Sequence, residues 1–365
     1  MGVKPSRFII RAGVRGADST LTAFTETFDL DWFETLTGFV ETDYASTRAK
    51  LEVRNGKLTS LVNSVSYSTG RLELALLSDL RNRVRSAHAQ SGRLRLSLIT
   101  GDVRDMHWHR AFAGALFQVA SQFNLLEMIG PNKTPEDGVT IYQNDGTQGP
   151  ACAMAAGAAT IYRNYFAKVG GRLGQTKDRQ LDALADLGTA LRKRVGPGTG
   201  ALWSMVNGYA LAHRSGLDGI THVLECSDPN EIDELRSRLR IGLHWDIEVT
   251  DASRPFPLVS QAFCSALPVA YSQHGPRHWA PFACLVLEAA YEATLWAAAL
   301  NARRNGSNIV LLTSLGGGAF GNDEAWIEAS LVRALKLASG FDLDVRLVSY
   351  GVPSPAFLRI ERRFA

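Results

Sequence analysis

The chain has 365 residues, of which 45% are hydrophobic and 21% charged, and its formal net charge is +3. This is the composition of an ordinary globular protein with room for one large α/β core or two domains. So small a net charge, with lysines and arginines scattered along the chain, excludes general binding to the phosphate backbone of nucleic acids.

The cysteines and the N-terminal residues indicate the cellular compartment in which the protein is expected to work. The four cysteines are widely spaced and form no C-x-x-C pair, which predicts buried thiols in a reducing environment. The first residues lack the apolar core of a secretory signal, and no apolar run is expected to reach membrane-spanning length. We therefore expect a soluble, cytoplasmic protein without membrane attachment.

The first 90 residues predict a β-rich region that ends in a helix. Asn55-Gly56 lies between two alternating segments over residues 51–62, which indicates a hairpin with a tight turn. Residues 77–85 then have the pattern of a helix.

Strands and helices alternate along the rest of the chain. A strand over residues 94–100 ends at Gly101-Asp102. Further patterns predict a strand-like segment at 117–124, an extended segment at 139–142, helices at 151–165, 180–194 and 228–240, a buried strand at 261–271 and a long apolar helix at 279–302.

A glycine cluster follows the next strand. Residues 308–312 are apolar, glycines occupy 316–318 and 321, and a helix is expected from about 323 to 339, followed by a last strand at 343–349. This alternation predicts an α/β layer with parallel strands. A strand that turns through glycines into a helix start presents free backbone N–H groups to a phosphate.

The glycine cluster is also compatible with two different roles. Gly316, Gly318 and Gly321 match G-x-G-x-x-G, the fingerprint of an NAD-dependent oxidoreductase. The oxidoreductase role is disfavoured because Asp342 and Asp344 lie at the start of the next strand. The acidic residue that binds the ribose of a dinucleotide lies at the end of that strand. The second role is that of a turn that only packs a helix on a sheet.

Three further features precede the glycine cluster in order. Asp102 follows the strand at 94–100, and Asn124 ends the segment at 117–124. A loop over residues 142–151 then leads into a helix of small residues.

Together these features resemble a macrodomain, the ADP-ribose-binding α/β/α fold, and most of all its divergent poly(ADP-ribose) glycohydrolase-like branch. The resemblance implies that Asp102 holds the adenine amino group, that Asn124 reaches the distal ribose, and that the last glycine loop wraps the diphosphate while Phe320 packs on the ribose. The ligand-binding residues implied are Asp102, Val103, Asn124, Asp137, Thr147, Gly149, Ser314, Gly316, Gly317, Gly318, Ala319, Phe320, Gly321 and Asn322.

The resemblance also implies a domain organisation. It predicts a three-layer α/β/α mixed sheet over residues 93–352, with a helical insertion at about 170–255. An N-terminal β-rich and helical extension over residues 1–92 precedes it, and a tail over 353–365 follows.

Cleavage at the anomeric carbon of a ribose proceeds through an oxocarbenium-like transition state, which a carboxylate assists. Asp145, at the turn before the small-residue helix, is the first catalytic candidate, although a turn residue that caps the helix would look the same. Glu136 and Asp137 are the second. Gln148 stands where many mono-ADP-ribosyl hydrolases have an aspartate, and a glutamine cannot act as a general base.

Several polar residues outside this set are assigned to packing or to the surface. His107 and His109 flank Trp108 without further ligands at metal spacing, so no metal site is expected. Glu288 and Glu292 share a face of the long apolar helix, where a polar-capped surface is commoner than a pair of site carboxylates.

The leading hypothesis is an ADP-ribosyl glycohydrolase that works without a metal or cofactor. Its partner is ADP-ribose or an ADP-ribosylated protein, with arginine one candidate acceptor and a polymer another. The alternative is a reader module that binds ADP-ribose without cleaving it, as Gln148 would permit. An NAD-dependent oxidoreductase is the third.

Overall fold

The computed structural model describes residues 31–87, 91–304 and 306–364, so the predictions for the extreme N-terminus lie outside the described residues. The strands are β1 (Leu51–Arg54), β2 (Lys57–Ser60), β3 (Ser66–Ser68), β4 (Arg71–Leu76), β5 (Arg95–Thr100), β6 (Leu116–Ala120), β7 (Lys168–Val169), β8 (Arg172–Leu173), β9 (Trp203–Val206), β10 (Tyr209–Ala212), β11 (Arg240–Glu248), β12 (Leu258–Cys264), β13 (Ile309–Leu312) and β14 (Asp344–Ser349). The helices are α1 (Trp32–Thr37), α2 (Tyr44–Ala49), α3 (Leu77–Ser86), α4 (Val103–Trp108), α5 (Gln148–Ala155), α6 (Gly157–Tyr165), α7 (Ala185–Val195), α8 (Arg214–Cys226), α9 (Pro229–Ser237), α10 (Pro276–Arg303), α11 (Glu324–Leu337) and α12 (Pro355–Phe364).

A seven-stranded mixed sheet with the order β4-β11-β12-β6-β13-β14-β5 forms the centre of the molecule. β11 is antiparallel to both of its neighbours, and the strands from β12 to β5 are parallel. Helices cover both sides of the sheet, which confirms the predicted α/β class. The parallel strands end together along one rim, here called the carboxyl edge.

Helix α10 is the centre of one helical layer and packs against α3, α8, α9 and α11. By length and composition it could span a membrane, but 83% of its most apolar window is buried inside the protein. Its alanines let neighbouring elements approach closely, and Ala289, Ala290 and Ala293 are fully buried. The long apolar run is therefore the core helix of the fold.

The predicted boundary at residue 92 does not separate two units. β4 pairs with β11 at the edge of the central sheet, and α3 packs on α10. α1, α2 and the small sheet of β1 to β3 share a second apolar cluster with α5 and α6, and this cluster includes Phe33, Leu58 and Ile161. The Asn55-Gly56 turn between β1 and β2 is as predicted.

The insertion and the tail also differ from the prediction. The range 170–255 does contain α7, α8, α9 and the β9–β10 hairpin, but it ends with β11, an inner strand of the central sheet. A nine-residue strand that pairs on both sides belongs to the core rather than to an insertion. The tail at 353–365 contains α12, which packs on β5 and α11.

Two local predictions near the carboxyl edge are wrong. Residues Thr140–Asn144 form a 3₁₀ helix instead of an extended segment, because the Glu41 carboxylate accepts the N–H groups of Val139 and Thr140 and tightens the turn. The helix predicted over 151–165 is broken at Ala156, whose φ of −116° and ψ of 55° are not helical.

Candidate functional site

The glycine loop, residues 313–323, leaves β13 at the carboxyl edge and leads into α11. Gly316 and Gly321 have φ values of 74° and 67°, which only glycine adopts at little cost. The N–H of Asn322 donates to the Gly316 carbonyl at 2.9 Å, and the N–H of Gly321 donates to the Gly318 carbonyl at 2.9 Å. These bonds fold the chain into a tight turn.

Asn322 holds this turn against the sheet. Its Nδ2 donates to the carbonyl of Leu267, just beyond β12, at 2.8 Å, and its side chain is 5% exposed. Predicted as a ligand-binding residue, Asn322 instead fixes the loop to the segment that follows β12, two strands away from β13 in the sheet.

The centre of the glycine loop offers donors to a ligand. In the described part of the chain, no acceptor contacts the N–H groups of Gly316, Gly318, Ala319 or Phe320. Gly317, Gly318 and Ala319 are exposed, as are Ser314 and Gly321. Adjacent, unpaired N–H groups on an exposed turn form a seat for an anion.

Asp102 lies at the same edge, after β5. It is the N-cap of α4, and its Oδ1 accepts the N–H of Arg104 at 2.8 Å. Among the described residues neither its second carboxylate oxygen nor the N–H of Val103 has a hydrogen-bond partner. Because only β14 separates β5 from β13, Asp102 and the glycine loop are two interstrand spacings apart, about 10 Å.

Tyr350 follows β14 and therefore lies between these two positions. Its side chain is 82% exposed, which is unusual for a tyrosine directly after a buried strand. No sequence motif marks it as a site residue. The available signal was an aromatic residue at the end of a parallel strand, where ligands of α/β proteins bind.

The rings of Phe320, Tyr209 and Tyr271 are here called the aromatic cluster. Phe320 belongs to the glycine loop, and the cluster lies on the side of the loop away from Asp102 and Tyr350. Phe320 contacts Tyr209 and Tyr271 with ring centroids 5.4 and 5.8 Å apart, and the two tyrosines are 5.3 Å apart. Tyr209 belongs to β10, so the predicted insertion contributes to the site. No local pattern indicated this, because the two residues are distant in sequence.

Asp145 lies beside the aromatic cluster. Burial raises the pKa of the Tyr209 phenol, and the nearby Tyr271 and Asp145 raise it further. The Asp145 carboxylate is half-buried and accepts the N–H of Thr147 at 2.8 Å, an interaction that orders the turn before α5. The first catalytic candidate and Phe320 thus lie in one region.

Gln148, at the start of α5, has a structural role. Its Oε1 accepts the N–H of Ala120 at 2.8 Å, and its Nε2 donates to the Gln118 carbonyl at 2.8 Å. The amide therefore extends the hydrogen bonding of β6 at the carboxyl edge. The prediction of Gln148 as a catalytic residue is therefore corrected, because both the oxygen and the nitrogen of its amide are bonded to β6.

Asn124 and Gly149 are further corrections to the ligand-binding set. Asn124 is fully buried, donates to Gln180 Oε1 at 2.9 Å and accepts the N–H of Leu126 at 3.1 Å. It stabilises the loop after β6 and does not reach the surface. Gly149 is buried, and the position requires glycine because a Cβ there would overlap the Ala120 carbonyl oxygen. Its role is the close approach of α5 to β6.

The second carboxylate candidates lie elsewhere. Glu136 accepts the N–H of Lys177 at 2.9 Å and is close to Tyr44, which packs against the apolar cluster that includes Phe33 and Leu58. Asp137 forms a capping box with Thr134. Within the described ranges no contact joins either residue to the aromatic cluster. Thr147, in contrast, stays exposed as the N-cap of α5.

The remaining polar candidates are structural. His107 is fully buried between the Val103 carbonyl and Gln261, and burial lowers its pKa to about 4. His109 is exposed. Glu292 pairs with Arg81 and Arg333, each at 2.6 Å, and is an interior ion-pair centre on α10. Glu288 pairs with Arg236.

Over the ranges given above, no three His, Cys, Asp or Glu side chains lie together in a way that could hold a metal ion.

The fold and the site define an α/β protein with an exposed glycine loop, an acidic helix cap and an aromatic cluster along one carboxyl edge. No protein-family model matches the chain, and no curated protein matches it. Solved structures of similar fold include poly(ADP-ribose) glycohydrolases. That of Thermomonospora curvata has a TM-score of 0.44 and 14% identity over 88% of this chain and 97% of that chain.

Two more glycohydrolase structures are similar. The enzyme of Deinococcus radiodurans in complex with ADP-ribose has a TM-score of 0.44 and 12% identity over 80% of this chain and 93% of that one. The Thermomonospora curvata enzyme bound to the inhibitor ADP-HPD has a TM-score of 0.43 and 14% identity, with coverage of 88% and 97%. Likeness at these identities concerns the fold alone, and scores this low assign no role to any residue here.

Proposed function

We propose that this protein binds ADP-ribose along its carboxyl edge and hydrolyses the bond between the distal ribose and an acceptor. One observation carries the proposal. Asp102, Tyr350 and the glycine loop follow the adjacent strands β5, β14 and β13, and Gln148, just after the turn with Asp145, is bonded to the end of the next strand, β6. Adenine, diphosphate and distal ribose follow one another in the same order in ADP-ribose.

The adenine end is assigned to β5 and β14. An adenine ring presents an amino donor beside an acceptor nitrogen. The free oxygen of Asp102 and the free N–H of Val103 are complementary to this pair. Tyr350 supplies an exposed ring on which the base stacks.

The diphosphate is assigned to the glycine loop. Gly318, Ala319 and Phe320 present consecutive N–H groups that no other described residue uses. In the complex, the two negatively charged phosphates accept hydrogen bonds from these N–H groups in place of water. The bonds are charge-assisted and therefore stronger than those to a neutral acceptor.

The distal ribose is assigned to the aromatic cluster, with Asp145 at its anomeric carbon. In hydrolysis the bond from this carbon to the acceptor breaks, and a water oxygen bonds to the carbon. Asp145 takes one proton from that water, and the departing acceptor gains a proton from solvent. The carboxylate also stabilises the positive charge that develops on the ribose.

Gln148 supports a second candidate function, a reader that binds ADP-ribose and does not cleave it. Its amide is bound to β6 and supplies no carboxylate at the start of α5. A nicotinamide-dependent dehydrogenase has less support, because Asp344 lies at the start of β14 and pairs with Arg346. We place the protein in a reducing, cytoplasmic compartment, in keeping with its four free cysteines.

Two measurements on the same preparation test the proposal. Calorimetry with ADP-ribose measures binding, and release of ADP-ribose from modified protein measures turnover. Binding with release supports the hydrolase, and binding without release at high protein concentration supports the reader. The absence of any binding heat with ADP-ribose, while the protein is folded, would refute both.

A further inference from the structure

Glu41 belongs to the segment between α1 and α2, yet its side chain contacts the chain shortly before Asp145. Its Oε2 accepts the N–H of Val139 at 2.8 Å and the N–H of Thr140 at 2.6 Å. Its Oε1 accepts the hydroxyl of Tyr165 at 2.6 Å. Two backbone N–H groups and a phenol thus converge on one carboxylate, and the charge of the carboxylate strengthens each bond.

The two N–H groups belong to the start of the 3₁₀ helix Thr140–Asn144. The first N–H groups of a helix have no acceptor within the helix itself. Val139 is fully buried, so water does not replace a lost partner of its N–H. A buried and unpaired donor is costly, and Glu41 therefore stabilises the helix at its first residues.

The residue next to this contact is a glycine for a reason that concerns Glu41. Gly138 has a φ of 82°, and a Cβ at this position would overlap the Glu41 carboxylate. The chain before the 3₁₀ helix thus leaves room for an acid that lies 98 positions earlier in the sequence. Such a fit indicates a specific anchor rather than a chance surface contact.

Two backbone hydrogen bonds in succession connect the anchor to Asp145. The Val139 carbonyl accepts the N–H of Tyr142 at 3.2 Å, and the Tyr142 carbonyl accepts the N–H of Asp145 at 3.1 Å. Tyr142 is fully buried between them. At a rise of about 2.0 Å per residue, Thr140 and Asp145 are about 10 Å apart along this helix. Glu41 therefore acts on Asp145 through the backbone and not by contact.

We infer that Glu41 is a positioning residue: it fixes the start of the 3₁₀ helix, so that the turn at its end presents the Asp145 carboxylate to the distal ribose. The inference rests on the proposed function, because that function gives Asp145 its role in hydrolysis. Gln148 holds the other side of the same turn through its bonds to β6. The segment between α1 and α2, which has no strand in the central sheet, thus sets the geometry of the site.

The Glu41→Ala variant of the full chain removes all three bonds. We expect kcat for release of ADP-ribose from modified protein to fall by about a hundredfold, the effect of misplacing a catalytic group by about 1 Å. The Kd for free ADP-ribose should stay within about twofold, because Asp102 and the glycine loop are unchanged. Amide hydrogen exchange over residues 142–147 should become about tenfold faster, because the helix loses its anchor.

Two further variants separate positioning from a general loss of stability. Leu58→Val shortens a buried side chain of the apolar cluster that also includes Tyr165, and it leaves the bonds of Glu41 in place. It should lower stability but keep kcat and the exchange over residues 142–147. Glu41→Gln keeps one oxygen for the two backbone N–H groups, and its amide nitrogen can donate to the Tyr165 hydroxyl. This variant should recover most of the kcat that alanine loses.

Several results would overturn the inference, each measured under conditions in which urea unfolding shows the variants to be folded. They are a wild-type kcat in Glu41→Ala, an equal fall of kcat in Leu58→Val, and no recovery in Glu41→Gln. An absence of turnover by the wild type would count against the proposed hydrolysis alone. The exchange comparison needs no turnover, and wild-type exchange over residues 142–147 in Glu41→Ala would show that Glu41 does not hold the turn.

Discussion

The side-chain amide of Gln148 accepts the N–H of Ala120 at 2.8 Å and so joins the first residue of α5 to the last residue of β6. The same amide donates to Gln118, two residues back along the strand. This pair of bonds fixes the turn that carries Asp145 and Thr147. Gln148, at a position that resembles a catalytic one, thus holds the turn of the catalytic candidate Asp145 in place.

Replacing Gln148 by glutamate should destabilise the protein rather than add activity. A carboxylate still accepts the N–H of Ala120, but it offers no donor to the Gln118 carbonyl. It places one of its own oxygens against the Gln118 carbonyl oxygen. We expect the free energy of unfolding to fall by about 1–3 kcal/mol, the cost of an unpaired buried acceptor. Urea unfolding measures it. Gln143→Glu, at an exposed position in the preceding turn, is the matched control. A gain in turnover by Gln148→Glu would contradict a purely structural role.

Asp145→Asn should abolish release of ADP-ribose from modified protein and leave binding of free ADP-ribose within about twofold. The amide keeps the shape and the hydrogen bond to Thr147, but it cannot take a proton from water. A fixed-time release assay and calorimetry measure the two effects. Asp178→Asn, in an exposed loop, serves as the control for a lost surface charge. Wild-type turnover by Asp145→Asn would remove this residue from the mechanism.

Gly316 and Gly318 should respond differently to alanine. A Cβ at Gly316 would overlap Ala266 and approach Asn322 Nδ2 at 2.7 Å, and the φ of 74° disfavours alanine. Gly316→Ala should therefore lower the free energy of unfolding by about 1–3 kcal/mol and weaken ADP-ribose binding. A Cβ at Gly318 meets nothing within 4 Å, so Gly318→Ala should keep wild-type stability. Equal losses of stability in both variants would show that the turn is not held as described.

Tyr350→Ala should raise the Kd for ADP-ribose by about tenfold or more, because stacking of a base on an aromatic ring contributes about 1–3 kcal/mol. The side chain is 82% exposed, so stability should be unchanged. Tyr350→Phe keeps the ring and should bind like the wild type. If alanine and phenylalanine bind equally well, the ring does not contact the base.

The buried pair of Glu127 and Arg163 predicts a pH dependence of stability. Burial raises the pKa of Glu127 from 4.5 to about 7, and Arg163, 3.3 Å away, offsets this only in part. The folded carboxyl therefore holds its proton at a pH where the unfolded one has lost it. Its contribution to stability is present below about pH 4.5 and is lost as the pH rises through about 7.

Glu127→Gln isolates this contribution. Between pH 5 and 7.5 the free energy of unfolding of the wild type should fall relative to the variant, by at most about 3 kcal/mol at about 1.4 kcal/mol per pKa unit. His107 and His244, whose pKa values burial lowers, act in both proteins and cancel in the comparison. Parallel pH profiles for the two proteins would mean that Glu127 stays ionised throughout.

Much of the secondary structure could be predicted from local patterns. The hairpin at Asn55-Gly56, the strand before Asp102, the glycine loop and the helix after it are where the sequence indicates. Apolar periodicity and turn residues act over a few positions, so they are visible in one dimension. The break at Ala156 was missed, because a run of alanines favours a helix. The Ala155 carbonyl accepts the N–H of Asp251, which is distant in sequence and is not visible in a local pattern.

Sequence alone determined the class of the sheet and which residues follow its parallel strands, because strand ends and glycine turns are encoded locally. Only the tertiary structure decided what those residues do. It buried Asn124, bound the Gln148 amide to β6, brought Tyr209 to Phe320 and exposed Tyr350. Burial and hydrogen-bond partners depend on segments far apart in the chain, and their positions follow from the packing of the whole fold.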